Sequence, residues 1–128
     1  MKNKTYPLLQ SQLGIFIECQ EEPTLTRYNL GGKMTLPDSI DLDRLEHAVQ
    51  TVINARHILH TRFFIDDEGC PRQYEDNEME ILVRRLQLKE KDVDTFVEQE
   101  LMCPFQLIGD KPLCRFAIVE TESHHYFF

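Results

Sequence analysis

Residues 41–74, DLDRLEHAVQTVINARHILHTRFFIDDEGCPRQY, decide the fold class. Leu42, Leu45, Ala48, Val49, Val52 and Ile53 recur at the three- and four-residue spacing of one helix face. Asp41 stands where an N-cap is needed and Asp43 lies near the positive end of the dipole, so a helix is predicted from Leu42. Beyond it, Thr61–Ile65 has strand composition, Asp66-Asp67-Glu68-Gly69 reads as a turn, and residues 70–74 return as the second arm of a hairpin. A period of 3.6 that gives way to short strands joined by a tight turn belongs to an α+β layer.

Upstream, Leu9, Leu13, Phe16 and Ile17 predict an amphipathic helix over residues 8–20, ended by Glu21-Glu22-Pro23. Residues 28–36 carry Leu30, Met34 and Leu36 at alternate positions and predict a half-buried strand. Gly31-Gly32 within it suggests a bend, a bulge or close approach by another backbone. Downstream, Asp76, Glu78 and Glu80 mark a solvated loop or edge. Residues 81–88 return to strand character, and Val93, Phe96, Val97 and Leu101 mark a third helix that Cys103-Pro104 terminates. Residues 113–119 are nearly continuous apolar sequence, as a strand covered on both faces would be. A last strand starts at His124 or His125 and is still running at Phe128. The order helix, strand, helix, three strands, helix, two strands predicts about three helices packed on a mixed or mostly antiparallel sheet, in one domain or subdomain.

At 128 residues with 41% hydrophobic and 28% charged residues, the composition is that of a globular domain large enough for one core without metal or disulfide staples. A net charge of −8 repels a phosphate backbone, so nucleic acid is excluded as the expected partner. No apolar run follows the basic start and none has the length of a membrane span, so a cytoplasmic protein without membrane association is expected. Cys19, Cys70, Cys103 and Cys114 form no C-x-x-C pair and are expected to be buried or partly buried free thiols.

Independent enzyme chemistry finds no support. G-x-S-x-G, Walker A and G-x-G-x-x-G patterns are absent. His57 and His60 stand three apart without a third ligand, which gives no metal site, and His47 lies on the polar flank of the central helix.

Four stretches, in order, resemble the first part of the condensation domains of nonribosomal peptide synthetases, members of the chloramphenicol-acetyltransferase-like superfamily. Tyr6-Pro7-Leu8-Leu9-Gln10-Ser11-Gln12-Leu13-Gly14-Ile15-Phe16 is similar to the opening helix motif. Tyr28-Asn29-Leu30 through Leu36, with Leu42, Leu45, Ala48 and Val49, is similar to the first strand and long helix. Ala55-Arg56-His57-Ile58-Leu59-His60-Thr61-Arg62-Phe63 resembles the second motif through Leu59, Thr61 and Phe63. Cys103-Pro104-Phe105-Gln106-Leu107 with Lys111-Pro112-Leu113-Cys114-Arg115 resembles the Pro-Phe-x-Leu, Pro-Leu-x-Arg passage into a core strand.

The resemblance implies the partial N-terminal lobe of a two-lobed acyltransferase with a tunnel between lobes. Substrates arrive on phosphopantetheine arms of carrier domains in adjacent synthetase modules, with no cofactor bound directly, and an amine attacks a thioester to form an amide. A His-His-x-x-x-Asp-Gly motif supplies the catalytic His, and Arg62 is the residue expected to support its Asp structurally. His124-His125-Tyr126-Phe127-Phe128 fits the first five places of that motif. It also fits the hairpin turn and strand that precede it, and on that preferred reading the motif lies beyond Phe128. An aromatic strand at the end of the sequence is read as a fragment boundary, with an open edge for a second copy. Related readings are an epimerization domain or a coenzyme A-dependent acyltransferase, and a different class is a non-catalytic protein-interaction module.

Overall fold

A computed structural model describes residues 3–128. In chain order the elements are β1 (Thr5–Pro7), α1 (Gln10–Glu21), β2 (Met34–Leu36), α2 (Leu42–Ala55), β3 (Thr61–Ile65), β4 (Pro71–Glu75), β5 (Arg84–Gln87), α3 (Val93–Leu101), β6 (Ala117–Glu120) and β7 (His125–Phe127). Short 3-10 turns at His57–His60 and Glu90–Asp92 precede β3 and α3. The α+β class is as the sequence predicts, but the strands form two sheets and the chain divides into two compact units.

The first unit comprises Met1–Tyr28, Arg56–Glu80 and Pro104–Cys114. Its antiparallel sheet has the order β1-β4-β3. The turn between β3 and β4 forms because the Asp66 carboxylate accepts the backbone N–H groups of Glu68 (3.0 Å) and Cys70 (2.8 Å). Gly69 takes the left-handed conformation, φ +80°, that a Cβ would oppose. Strand β1, which the sequence analysis read only as the start of a helix motif, pairs with the far side of β4. Three residues carry too little periodicity to announce a strand. Helix α1 begins where the Gln12 side chain accepts the Leu9 N–H (2.8 Å), and it buries only Phe16, whose ring lies 5.9 Å from that of Phe63. Leu9 and Ile17, expected on the buried stripe, are exposed.

The second unit comprises Asn29–Ala55, Ile81–Cys103 and Arg115–Phe128, with a sheet of order β2-β7-β6-β5. The pair β5–β6 is parallel and the others antiparallel. A parallel pair needs a long crossover, and the chain between these strands contains α3. Central β6 is apolar because both its faces are covered: Ala117, Ile118 and Val119 are at most 1% exposed. Val93, Ala117, Val119 and Tyr126 form the core, with Leu86, Leu88, Phe96 and Phe128 packed against it. Asp41 caps α2 as expected, accepting the N–H groups of Asp43 and Arg44 at 3.1 Å each. The last strand is not an edge: β7 pairs with β2 on one side and β6 on the other, so the sheet's edges are β2 and β5.

Three predicted strands are shorter than their sequence pattern because side chains take over backbone hydrogen bonds or redirect the chain. Residues 28–33 are not strand: Asn29 donates to the carbonyls of Leu101 (2.9 Å) and Cys103 (3.0 Å) at the end of α3, and Leu30 is 96% exposed. Gly31 is approached by side chains rather than backbone, since a Cβ there would lie 3.1 Å from Leu101 Cδ2. Residues 81–83 precede β5 outside any strand, with Ile81 and Val83 buried and Leu82 exposed, because Gln50 of α2 donates to the Ile81 carbonyl (2.7 Å) and accepts the Val83 N–H (3.2 Å). Residues 113–116 stay outside β6, with the Arg115 guanidinium donating to the Cys103 carbonyl at 2.7 Å.

Replacing Gln50 strands two buried backbone groups at once. Gln50→Ala is expected to lower the unfolding free energy by about 2 kcal/mol. Gln50→Glu, which still accepts from Val83 but sets a carboxylate oxygen against the Ile81 carbonyl, is expected to lower it at least as far. Urea unfolding followed by circular dichroism reads both.

Candidate functional site

The hairpin register determines which side chains of the second motif meet. Strand pairing matches Thr61 with Glu75 and Arg62 with Tyr74, and the Asp76 N–H donates to the His60 carbonyl (2.9 Å), extending the ladder one rung past β4. With a side-chain period of two, Arg62, Tyr74 and Asp76 share one face, and Arg62 and Asp76 are diagonal neighbours within reach of a long side chain. Arg62 Nε donates to Asp76 Oδ2, and Nη1 donates to the Gly109 carbonyl at 2.8 Å. Gly109 comes within reach because Ile108 forms a parallel bridge with Phe63. Both ionic side chains are 15% exposed. The Arg62 hydrogen bond holds the Asp76 carboxyl below the usual carboxylate range.

The opposite face of β3 borders a cavity of about 150 Å³ lined by Gln12, Ile58, Leu59, Thr61, Phe63, Leu113 and Cys114. Gln12 is fixed by reciprocal amide hydrogen bonds with Gln73, at 2.9 and 3.2 Å. Burial pushes the Cys114 thiol up, which makes it a poor nucleophile. A second cavity, of about 510 Å³, is bordered by Cys19, Gln20 and Pro23 at the end of α1 and by residues 104–108. The Cys19 thiol is likewise raised by burial. Cys70 and Cys103, expected to be at least partly buried, are exposed, because Cys70 sits at the hairpin turn and Cys103 just past the end of α3.

In the second unit Arg85 donates to Asp43, Glu46 and Glu120, tying α2, β5 and β6 together and holding Glu120 below the usual range. Glu90 accepts from the Thr121 hydroxyl (2.5 Å), the Tyr126 phenol and His124 Nδ1 (3.3 Å). These donors depress the Glu90 pKa, Thr121 foremost. The same hydrogen bond to Glu90 pushes the Tyr126 phenol up to about 12. His124 and His125 flank the β6–β7 turn and the start of β7: the His124 side chain is half exposed, and His125 Nδ1 is buried without a hydrogen-bond partner among the described residues. His57 contacts Glu75, and buried His60 donates from Nδ1 to the Arg56 carbonyl at 3.1 Å. Among the described residues no group of three His, Cys, Asp or Glu side chains is arranged to hold a metal ion, and no helix is long and apolar enough to cross a membrane.

The Condensation domain family matches residues 2–128. The chain belongs to that family. Tyrocidine synthase 2 of Brevibacillus parabrevis is 33% identical over 122 residues, which are 94% of this chain and 3% of that protein. The starter condensation domain of the rhizomide synthetase RzmA superposes with a TM-score of 0.83 at 20% identity, over 97% of this chain and 32% of that one. A variant of that starter domain in complex with C8-CoA gives 0.82 at 21% identity, over 97% and 30%. The chain thus spans a few per cent of the curated synthase and about a third of the solved condensation domains.

Within this condensation-domain chain the 150 Å³ cavity gathers residues from three of the four stretches recognised in the sequence: Gln12, then Leu59, Thr61 and Phe63, then Leu113 and Cys114. Arg62 projects from the other face of the strand. Asp76, its partner, was read only as part of an acidic loop. The signal that finds it is the turn: Ile65 paired with Pro71 sets Arg62 opposite Tyr74 and carries position 60 opposite 76.

The Tyr126–Glu90 bond sets an alkaline limit. An unfolded phenol titrates near about 10, whereas the folded one holds its proton to about 12, so stability is full below the first value and declines as pH rises through the second. Denaturant unfolding between pH 9 and 12 is expected to show this loss in the parent chain and a flatter profile in Tyr126→Phe.

Proposed function

We propose that this chain is the N-terminal part of a nonribosomal peptide synthetase condensation domain, whose complete form joins an acyl thioester to an amine, each held on the phosphopantetheine arm of a carrier domain. The family match over residues 2–128 is the observation that carries this reading. In the reaction the amine nitrogen attacks the thioester carbonyl, the C–N bond forms and the C–S bond breaks. The arm's thiol leaves, and the amine proton passes through a histidine to the departing sulfur. A thioester is already activated, so positioning and the handling of one proton supply much of the acceleration.

On this proposal the proton-transfer group belongs to a His-His-x-x-x-Asp-Gly motif beyond Phe128, and the 128 residues form no amide alone. The half-exposed position of His124 beside a turn supports reading it as part of a hairpin rather than as a base. Arg62 is assigned structural support of the motif's Asp. Its guanidinium is clamped on Nε and Nη1, and among the described residues Nη2 makes no hydrogen bond, which leaves a donor edge for a second carboxylate. The parent protein is placed in the cytoplasm, with carrier domains and neighbouring modules as its partners.

The C8-CoA complex of the structural neighbour favours one second reading, acyl transfer from coenzyme A. Both are tested with the complete polypeptide that carries this chain, given one acyl group either on a carrier arm or on coenzyme A, with an aminoacyl carrier as acceptor. Amide product from the carrier-bound donor, lost when the motif's second His becomes Ala, is expected. Product from coenzyme A alone, or a parent polypeptide lacking the motif, overturns the assignment.

A further inference from the structure

The 150 Å³ cavity of the first unit is walled by apolar surface and by polar groups that already have partners. Ile58, Leu59, Phe63 and Leu113 supply hydrocarbon and one ring, and Cys114 a thiol. Two further polar side chains line the wall, and both are engaged elsewhere. Gln12 Oε1 accepts from the Leu9 N–H (2.8 Å) and from Gln73 Nε2 (2.9 Å), and Gln12 Nε2 donates back to Gln73 Oε1 (3.2 Å). A carboxamide oxygen has two lone pairs, so this one keeps none for a guest. Gln73 is held in turn, because its Nε2 also donates to the Pro7 carbonyl at 3.1 Å. The Thr61 hydroxyl donates to the Ile58 carbonyl (2.8 Å). Among the described residues no charged side chain lines the space.

These walls select a guest by exclusion. A charged or strongly polar molecule would leave water without recovering its hydrogen bonds, whereas an apolar one exchanges water for contact with carbon and sulfur. Volume sets the size, since an apolar cavity of about 150 Å³ stays dry and accepts benzene or xenon. Entry is open where Ile58, 75% exposed, borders both the cavity and solvent. We propose that this cavity is a binding site for an uncharged apolar molecule about the bulk of a benzene ring. Every residue of the site lies in the first unit, and the site stands whether or not the chain takes part in amide formation. A guest held there sits against Cys114 and shields its thiol from solvent.

The test follows alkylation of each cysteine of the chain by iodoacetamide, resolved peptide by peptide, with benzene as the probe. Benzene is expected to slow Cys114 roughly fivefold as it nears its solubility limit, while the exposed Cys70 and Cys103 keep their rates. Benzoate, the same ring with a charge, is expected to leave Cys114 unchanged. Leu113→Phe fills the space with a ring of its own, so its Cys114 is expected to react slowly without benzene and no more slowly with it. Should Leu113→Phe fail to fold, Cys114→Leu narrows the same cavity and is read by melting temperature, which benzene raises in the parent and leaves unmoved in the variant. An unslowed Cys114, equal slowing at Cys70 and Cys103, or protection by benzoate as strong as by benzene overturns the site. So does undiminished protection in Leu113→Phe, or an equal rise in melting temperature in Cys114→Leu.

Discussion

The side chains of β3 and β4 depend on the register of one hairpin, and the register depends on Asp66 and Gly69. The carboxylate of Asp66 satisfies two N–H groups that the turn would otherwise leave unpaired, and Gly69 supplies the positive φ needed to reverse the chain in that space. Because side chains alternate with a period of two, a slip of one residue would send Arg62 to the cavity face and Phe63 to the polar one. The turn is local chemistry with a long reach: it brings residue 62 to residue 76.

The second unit is held by a different arrangement. Its core is the apolar strand β6 with Val93 and Tyr126, and two of its polar clusters are built around single ions, Arg85 with three carboxylates and Glu90 with three donors. Exposed ion pairs contribute little individually, but these clusters join elements distant in sequence: α2 to β5 and β6, and the turn before α3 to the β6–β7 hairpin. Tyr126 belongs to both systems. Its ring packs in the core and its hydroxyl reaches Glu90, so β7 is fixed at an apolar and a polar point together.

The features legible in the sequence were those whose cause is local. The six apolar residues of α2, its Asp41 cap, the Asp66–Gly69 turn and the helix after Asp92 all follow from neighbours a few positions away. Where a distant side chain replaced a backbone partner, the pattern misled. Alternation at Leu30 and the apolar run at Ile81 suggested strands, but Asn29 caps α3 and Gln50 supplies the hydrogen bonds that a neighbouring strand would have given. Strand β1 stayed hidden because three residues beside a helix motif have no period to read. Of the Arg62–Asp76 ion pair, the resemblance singled out only Arg62, whereas Asp76 was masked by Glu78 and Glu80, which are exposed as charge patterning expects.

The alternation of β3 also bears on what the second motif means. Leu59, Thr61 and Phe63 all line the cavity, so their spacing is a packing requirement of a chain that runs through a 3-10 turn into a strand. The residue between Thr61 and Phe63 faces the other way, and it is the one that carries charge. A Leu-x-Thr-x-Phe pattern therefore identifies the fold through one face of the strand, while the Arg62–Asp76 ion pair stands at a position the pattern leaves unspecified. Motif residues here define a shape, and the chemistry of Arg62 follows from the partners that the hairpin places diagonally across from it.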